Sequence, residues 1–406
     1  VTTILLFLKN LFPSSCHGRI VLVGGTVRDL LLNRENQDID LVAALSATEL
    51  LTLGFRRVAA TCGATIYFKH HPEFGKIEIT RINDMADLEN DLLRRDFTIN
   101  AIAMTMSGAP IDLLGGAADL HAKVLRACGQ DTFRDDPLRI MRAFRFEADG
   151  WRLSPETVAL FKRQDWSAAF AKMPVERFSN EMFKALARKD PARFFERLIE
   201  FDVGAEFLPE LFRMPLIPAG PLQHHPEGDL FSHSIQVLQR VAVVSNDPQA
   251  RFCALFHDLG KLATAPALYP KHHGHDEAGF ALAVPFCNRL CLPAASRKAL
   301  AWVSRLHGKA NKWEELRVAT KVKMAEQALK AGISTILPLV AAADKAGGRP
   351  PVGWHNALKV AGMSTRTLGI DPEKLEALSD RNRPAFILQK RVDFLRSMSD
   401  NDNQCH

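Results

Sequence analysis

No apolar run in this sequence reaches the roughly 18–20 residues that a membrane-spanning helix needs, so no membrane partner is expected. Residues 1–12 are apolar, but Lys9 interrupts them and no small-residue cleavage site follows. They read as a short docked helix rather than a targeting leader. Cysteine lacks any usable pattern. The seven (Cys16, Cys62, Cys128, Cys253, Cys287, Cys291, Cys405) are odd in number, and only Cys287 and Cys291 lie close, at a spacing that suits a helix face. Neither a disulfide framework nor a zinc knuckle is expected, and a reduced, cytoplasmic protein is the simple inference. Internal repeats and low-complexity tracts are missing too. With 47% hydrophobic and 24% charged residues, the composition excludes disordered and collagen-like chains. The 406 residues exceed one ordinary core, and the net charge of +6 is a mild hint of a polyanionic partner.

Strand signals are confined to one end of the chain. Residues 19–23, 39–43, 64–69, 76–80, 99–104 and 110–113 read as strands, whereas amphipathic helical patterns dominate from residue 136 onward. This change of texture places a boundary near residue 148. Pro/Gly-rich stretches at 214–228 and 347–353 place two more. The expected domains are therefore 1–148, 149–215, 216–350 and 351–406, an α+β head followed by all-α segments.

Three pieces of the head carry chemistry. In Gly24-Gly25-Thr26-Val27-Arg28-Asp29 a strand runs through a Gly-Gly turn into a helix. Such a turn lets backbone N–H groups approach phosphates, and Arg28 adds a charge-assisted contact one turn in. In Asp38-Ile39-Asp40 the strand period of two puts both carboxylates on one face. Carboxylates that close repel unless a cation sits between them, and hard oxygen ligands suit Mg²⁺. The third piece is Arg94 to Ala101 followed by Arg134 to Phe146, where Arg139, Arg142 and Arg145 recur every three residues along one side of a helix. Three aligned guanidiniums call for an anionic partner such as a nucleoside triphosphate.

The ordered set GGTVRD, DID, RRDFTINA and DDPLRIMRAFRF, spread over residues 19–215, resembles the bacterial (class II) tRNA nucleotidyltransferase and poly(A) polymerase family. The resemblance implies a polymerase-β-like mixed-sheet head, a helical neck, and tRNA, CTP and ATP as partners. It implies that Asp38 and Asp40 bind the catalytic Mg²⁺, and that Gly24, Gly25, Arg28 and Arg95 hold the triphosphate and sugar. Asp136 and Arg139, with Arg142 and Arg145 nearby, match the family's base-reading pair. A carboxylate accepts from the exocyclic amine that cytosine and adenine share, and an arginine donates to the adjacent ring acceptor, so guanine and uracil are refused. Only residues 81–93 separate the strand at 76–80 from Arg94. This short segment resembles the CC-adding branch, whose product is finished by a separate A-adding enzyme, and it tips the expectation towards CC rather than full CCA addition.

Further on, His233, His257-Asp258 and Asp344 resemble the H…HD…D signature of HD-domain phosphohydrolases. The resemblance implies hydrolysis of phosphomonoesters or 2′,3′-cyclic phosphates with Ni²⁺ or Mg²⁺, with His275 and His307 as candidate extra ligands. RNA contacts are expected from Arg177, Lys184, Arg188 and Lys189 and from basic residues after Arg297. Two other readings stay open: a poly(A) polymerase, and an HD phosphohydrolase whose head merely binds RNA.

Overall fold

A computed structural model of the chain describes residues 2–34, 38–58 and 65–404. Ala64, expected to open a strand, lies outside these, as do Cys62 and Cys405. The chain divides into two compact units, Val1–Trp166 and Ser167–His406.

The first unit is built on a seven-stranded mixed sheet. Its strands are β1 (Ile20–Leu22), β2 (Asp38–Ala43), β3 (Arg56–Val58), β4 (Thr65–His71), β5 (Gly75–Arg81), β6 (Ala103–Thr105) and β7 (Pro110–Ile111), in the spatial order β3-β4-β5-β2-β1-β6-β7. The central strand β2 runs parallel to β5 and antiparallel to β1. Its second half, Leu41-Val42-Ala43, is wholly buried, and its first half carries Asp38 and Asp40 to the sheet's edge of solvent. A parallel neighbour needs a crossover, which the helix Ala47–Thr52, β3 and β4 supply. Leu5, Leu8 and Phe12 bury the amino-terminal helix Thr2–Leu11, as expected.

Two readings of the head change. Residues 99–104 are not one strand: Thr98–Asn100 form a 3-10 turn and only Ala103–Thr105 pair. The cause is Asp96, whose Oδ1 accepts from both Phe97 N (2.9 Å) and Asn100 Nδ2 (2.8 Å) and so curls the chain. The compact unit also runs past residue 148 to Trp166. Two short strands, β8 (Val124–Leu125) and β9 (Arg152–Leu153), pair in parallel, and Phe161 of the helix Pro155–Phe161 packs edge-on against Phe133 (4.7 Å) and Phe144 (5.8 Å). A two-residue strand has too little pattern to announce itself.

The second unit is helical. Arg251, 1% exposed, ties its parts together by donating to the carbonyls of Leu186 and Arg188 (both 2.7 Å), Ser245 (2.8 Å) and Ala242 (3.1 Å). Among the described residues no helix is long and apolar enough to cross a membrane.

Candidate active site and metal centre

In the head, β1 passes directly into the helix Gly24–Leu31, whose first turn is fastened to β2. Val23 N donates to Asp40 O (2.9 Å), Thr26 Oγ1 donates to Asp38 O (3.1 Å), and Asp40 N donates to Thr26 Oγ1 (2.8 Å). Gly24 has φ +70°, and a Cβ there would lie 2.9 Å from Arg95 Nη1 and 3.2 Å from Asp40 Oδ2. The conformation is strained for a side chain, and a Cβ would push the Arg95 and Asp40 side chains aside. Gly24→Ala is expected to lower nucleotide incorporation about a hundredfold by displacing those groups. The left-handed strain of about 1–2 kcal/mol costs only a few degrees of melting temperature, so parallel rate and thermal-melt measurements separate the two effects.

Along β2, Ile39 is 1% exposed while Asp38 is exposed and Asp40 half-buried, so the two carboxylates share the outer face. Register sets Asp40 opposite Glu78 of β5 and Asp38 opposite Lys76. Lys76 donates to Glu78. Burial raises the Asp40 carboxyl above its usual range; Arg95 works against this, and the charges of Glu78 and Asp38 add to it. Three carboxylates on adjacent strands with one carboxyl left electrostatically uncomfortable are the donor set that a hard divalent cation relieves.

A cleft of about 230 Å³ opens beside Asp40, walled by Gly24, Gly25, Arg28, Arg95, Arg142 and Arg145. Asp91, 4% exposed, holds Arg95 through Nε (3.2 Å) and Nη2 (2.8 Å) with one oxygen and Arg94 with the other. Arg28 Nη1 donates to Asn100 Oδ1 (2.6 Å), Asn100 Nδ2 donates to Asp96, and Arg142 Nε donates to Asp96 Oδ2 (2.8 Å). One chain of hydrogen bonds thus sets the cleft wall from Arg28 to Arg142.

The row Arg139, Arg142, Arg145 lies on the helix Leu138–Glu147 as expected, but not as a free cationic edge. Arg142 is paired with Asp96, and Arg145 is buried with its guanidinium 4.5 Å from the centre of the Phe146 ring. Arg139 donates to the carbonyls of Arg94 (2.7 Å), Thr132 (3.0 Å) and Arg95 (3.5 Å). Asp136 Oδ1 accepts from Leu138 N (3.2 Å) and starts the helix. Both members of the expected base-reading pair are turned onto the backbone.

The second unit gathers a histidine–aspartate cluster from five helices: Leu230–Val244 (His233), the end of Pro248–Phe256 (His257, Asp258), His275–Arg289 (His275), Ala294–Ala310 (His307) and the end of Ile336–Asp344 (Asp344). His233 Nε2 and His257 Nε2 lie 3.0 and 3.2 Å from Asp344 Oδ1, and His257 Nε2 lies 3.2 Å from Asp258 Oδ2. Ligand atoms of His233, His257, Asp258 and Asp344 all fall within 4.8 Å of one another. The far nitrogens are fixed: His233 Nδ1 donates to Glu227 Oε1 (2.6 Å) and His257 Nδ1 to Ala254 O (2.8 Å). That leaves each Nε2 facing the cluster, the usual support for a metal-bound imidazole. Burial opposes charge on His257, but Asp258 and Asp344 prevail and raise it to about 10. Burial likewise opposes the Asp258 carboxylate, which Lys261 and His257 nevertheless hold well below the usual range. Gly260 permits the assembly, since a Cβ there would strike His275 O at 1.9 Å.

Residues 20–126 match the poly A polymerase head domain, 151–214 the probable RNA and SrmB-binding site of polymerase A, and 230–346 the HD domain. The chain is 34% identical over 408 residues to the multifunctional CCA protein of Methylococcus capsulatus, covering 93% of this chain and 94% of that one. The chain belongs to the bacterial CCA-adding family of tRNA nucleotidyltransferases. Among solved structures, a CCA-adding enzyme with CTP superposes with a TM-score of 0.64 at 21% identity, covering 97% of this chain and 94% of that one. The Bacillus stearothermophilus CCA-adding enzyme in complex with CTP gives 0.60 at 24%, covering 94% and 89%. At these identities the likeness shows the fold.

For a CCA-adding family member, the groups that sequence reasoning passed over are supports from other elements. Glu78 joins Asp40 only through strand register, and Asp91 sits in the segment read merely as short. Asn100 was assigned to a strand. Around the HD cluster, Glu227 lies in a Pro/Gly-rich stretch, and Asn311 Nδ2 donates to Asp344 from a helix end. His272, by contrast, bonds Thr264 Oγ1 (2.9 Å) and Pro218 O (2.8 Å) with its two nitrogens and braces a loop.

Proposed function

We propose that this chain adds C, C and A to the 3′ end of tRNA from CTP and ATP without a nucleic-acid template. The observation that carries this reading is the carboxylate group Asp38, Asp40 and Glu78 on adjacent strands, beside a cleft walled by guanidiniums. Asp38 and Asp40 would hold Mg²⁺, which when bound neutralises triphosphate charge and favours the ionised 3′ hydroxyl. Arg95, held by Asp91, and Arg28, held by Asn100, take the triphosphate. The Gly24-Gly25 turn brings the backbone close. The RNA 3′ oxygen attacks the α-phosphorus in line, and pyrophosphate leaves. Asp136 and Arg139 turn from the backbone to the base edge when a nucleotide enters. Asp136→Ala is then expected to raise UTP and GTP use relative to CTP about tenfold or more, since a good pair discriminates by about 1–3 kcal/mol. Unchanged selectivity in single-nucleotide incorporation assays removes the base-reading role.

The extent of addition has a rival. The segment Arg81–Leu93 favours CC addition by its shortness. It folds as a capped turn and helix, with Leu88 and Leu92 buried against Val21 and Val42. The name multifunctional CCA protein, borne by a relative aligned along 93% of this chain, supports full addition. Incubation with tRNA ending at the discriminator base, with CTP, ATP or both, decides. CCA with both nucleotides is expected. A stop at CC transfers the last step to a separate A-adding enzyme, homopolymeric A indicates a poly(A) polymerase, and no incorporation leaves only the HD activity.

We further propose that the HD cluster hydrolyses phosphomonoesters or 2′,3′-cyclic phosphates at RNA ends, with a divalent ion held by His233, His257, Asp258 and Asp344. A water oxygen joins phosphorus, the P–O ester bond breaks, and the proton passes to the leaving oxygen. Mixed imidazole and carboxylate donors fit Ni²⁺ or a similar transition ion better than Mg²⁺. Because His257 is raised to about 10, an ion must displace its proton. Apparent affinity is expected to weaken as pH falls from about 8 to about 6, with proton release visible by calorimetry in buffers of different ionisation enthalpy. Binding that ignores pH contradicts the ligand assignment.

A further inference from the structure

The chain leaving Asp344 turns back at once. Gly347 has φ +71°, and a Cβ on Gly348 would strike Ala342 O at 2.2 Å. Two glycines thus press this segment against the helix it has just left. Its far end is fastened to the turn that follows the helix Ala294–Ala310. Trp313 Nε1 donates to Val352 O (2.7 Å), and Val352 N donates to Glu314 Oε1 (3.1 Å). Between the two segments lies a cavity of about 390 Å³, a size that takes a small ligand.

This cavity adjoins the HD cluster. Asn311 lines it, and Asn311 Nδ2 donates to Asp344 Oδ2. A carboxylate only accepts, so the orientation of that amide is fixed. Lys345, the residue after Asp344, lines it too. The rest of the wall is of two kinds. Trp313, Pro350, Pro351 and Val352 are apolar, whereas Lys312, Lys345 and Arg349 are cationic and exposed. Among the described residues, none of these three side chains has an ion pair or a hydrogen bond. Glu314 and Glu315 also line the cavity, and Glu314 already serves Val352 N. An apolar wall beside unpaired cations suits a nucleobase and its phosphates. A bare phosphate ester would leave the apolar side unused.

We propose that this cavity seats the terminal nucleoside of an RNA 3′ end whose phosphate lies at the HD cluster, with Lys312, Lys345 and Arg349 receiving the phosphodiester on its 5′ side. This rests on the HD reading above and deepens it by naming what selects an RNA end over a free nucleotide. The three cations act on binding rather than on bond breaking, so their loss shows in KM and not in kcat.

The test uses the full chain in EDTA with a trinucleotide ending in 4-thiouridine 2′,3′-cyclic phosphate. Irradiation followed by peptide mass spectrometry locates the terminal nucleoside without any turnover. Crosslinks are expected within residues 310–315 or 345–352. The double variant Lys345→Ala/Arg349→Ala should cut their yield about fivefold or more, while crosslinks on the first unit persist. Both side chains are exposed, so their truncation leaves the packing intact. With Ni²⁺ restored, the same variant should raise KM for the trinucleotide about tenfold relative to KM for uridine 2′,3′-cyclic phosphate. Crosslinks absent from both segments, or an unchanged ratio of the two KM values, overturn the cavity and leave HD hydrolysis standing. Crosslinks at the cavity in a chain that hydrolyses neither substrate keep the site and overturn the HD reading.

Discussion

Asp40→Ala is expected to abolish nucleotide incorporation, to below about a thousandth of the parent rate, and to leave the phosphate release proposed for the HD cluster unchanged. A metal-bound carboxylate supplies several kcal/mol of transition-state stabilisation, and each 1.4 kcal/mol or so is a factor of ten. Asp40 and the HD cluster sit on separate compact units, so loss at the one has no route to the other through shared ligands. Asp40→Asn makes the sharper variant because it keeps the shape. The folded state raises the Asp40 carboxyl, chiefly by burial and further by Glu78 and Asp38. A carboxyl raised on folding favours the folded state when protonated, and that advantage is lost as pH rises through its unfolded and then its folded value. At neutral pH the ionised group therefore costs stability, and Asp40→Asn should melt slightly higher than the parent while being inactive. Reduced stability together with retained incorporation would remove Asp40 from the active site.

Asp96→Ala has the largest expected effect on folding. The carboxylate is 6% exposed and accepts from Phe97 N, Asn100 Nδ2 and Arg142 Nε and Nη2. Burial works against its charge, but Arg142 and the hydrogen bonds prevail and hold it well below the usual carboxylate range. Removing it takes from Arg142, a third exposed, its buried carboxylate partner. The loss is about 3 kcal/mol, at the lower end for a buried pair, or roughly 6–10 °C of melting temperature for a unit of this size. Incorporation falls as well, because Arg28 reaches its place through Asn100 and Asp96. The sign with pH is fixed by the depressed value. The contribution is complete above the unfolded carboxyl value near 4 and is lost as pH falls through it towards the folded value. Acid titration of thermal stability should therefore show a fall below about pH 4 that Asp96→Asn largely lacks. A variant that melts with the parent at neutral pH contradicts the network.

What was legible in the sequence was local. Asp38 and Asp40 share a face because a strand alternates with period two, and Gly24 announces a tight strand-to-helix passage by composition alone. His257-Asp258 is one helix end. What was not legible depends on which strand or helix lies alongside. Glu78 meets Asp40 through a parallel register, and a slip of one residue would place Ile77 or Ile79 there instead. Asp96 and Arg142 stand 46 residues apart and meet only when the helix Leu138–Glu147 docks. The same docking turned the row of arginines inward, so a pattern that looked like a waiting anion site proved to be partly the wall's own framework. At the HD cluster the histidines were visible, but Glu227 and Asn311, which bond His233 and Asp344, sit in stretches with no pattern of their own.

The reading of the head stands or falls on whether Asp38 and Asp40 share a cation. A crystal of the full chain soaked with CTP and Mn²⁺ and measured at the manganese edge decides it. The expected result is an anomalous peak within about 2.0–2.3 Å of an oxygen from each residue, with the triphosphate against Arg28 and Arg95. Bound CTP with no peak between the two side chains, or carboxylates turned away from one another, contradicts it.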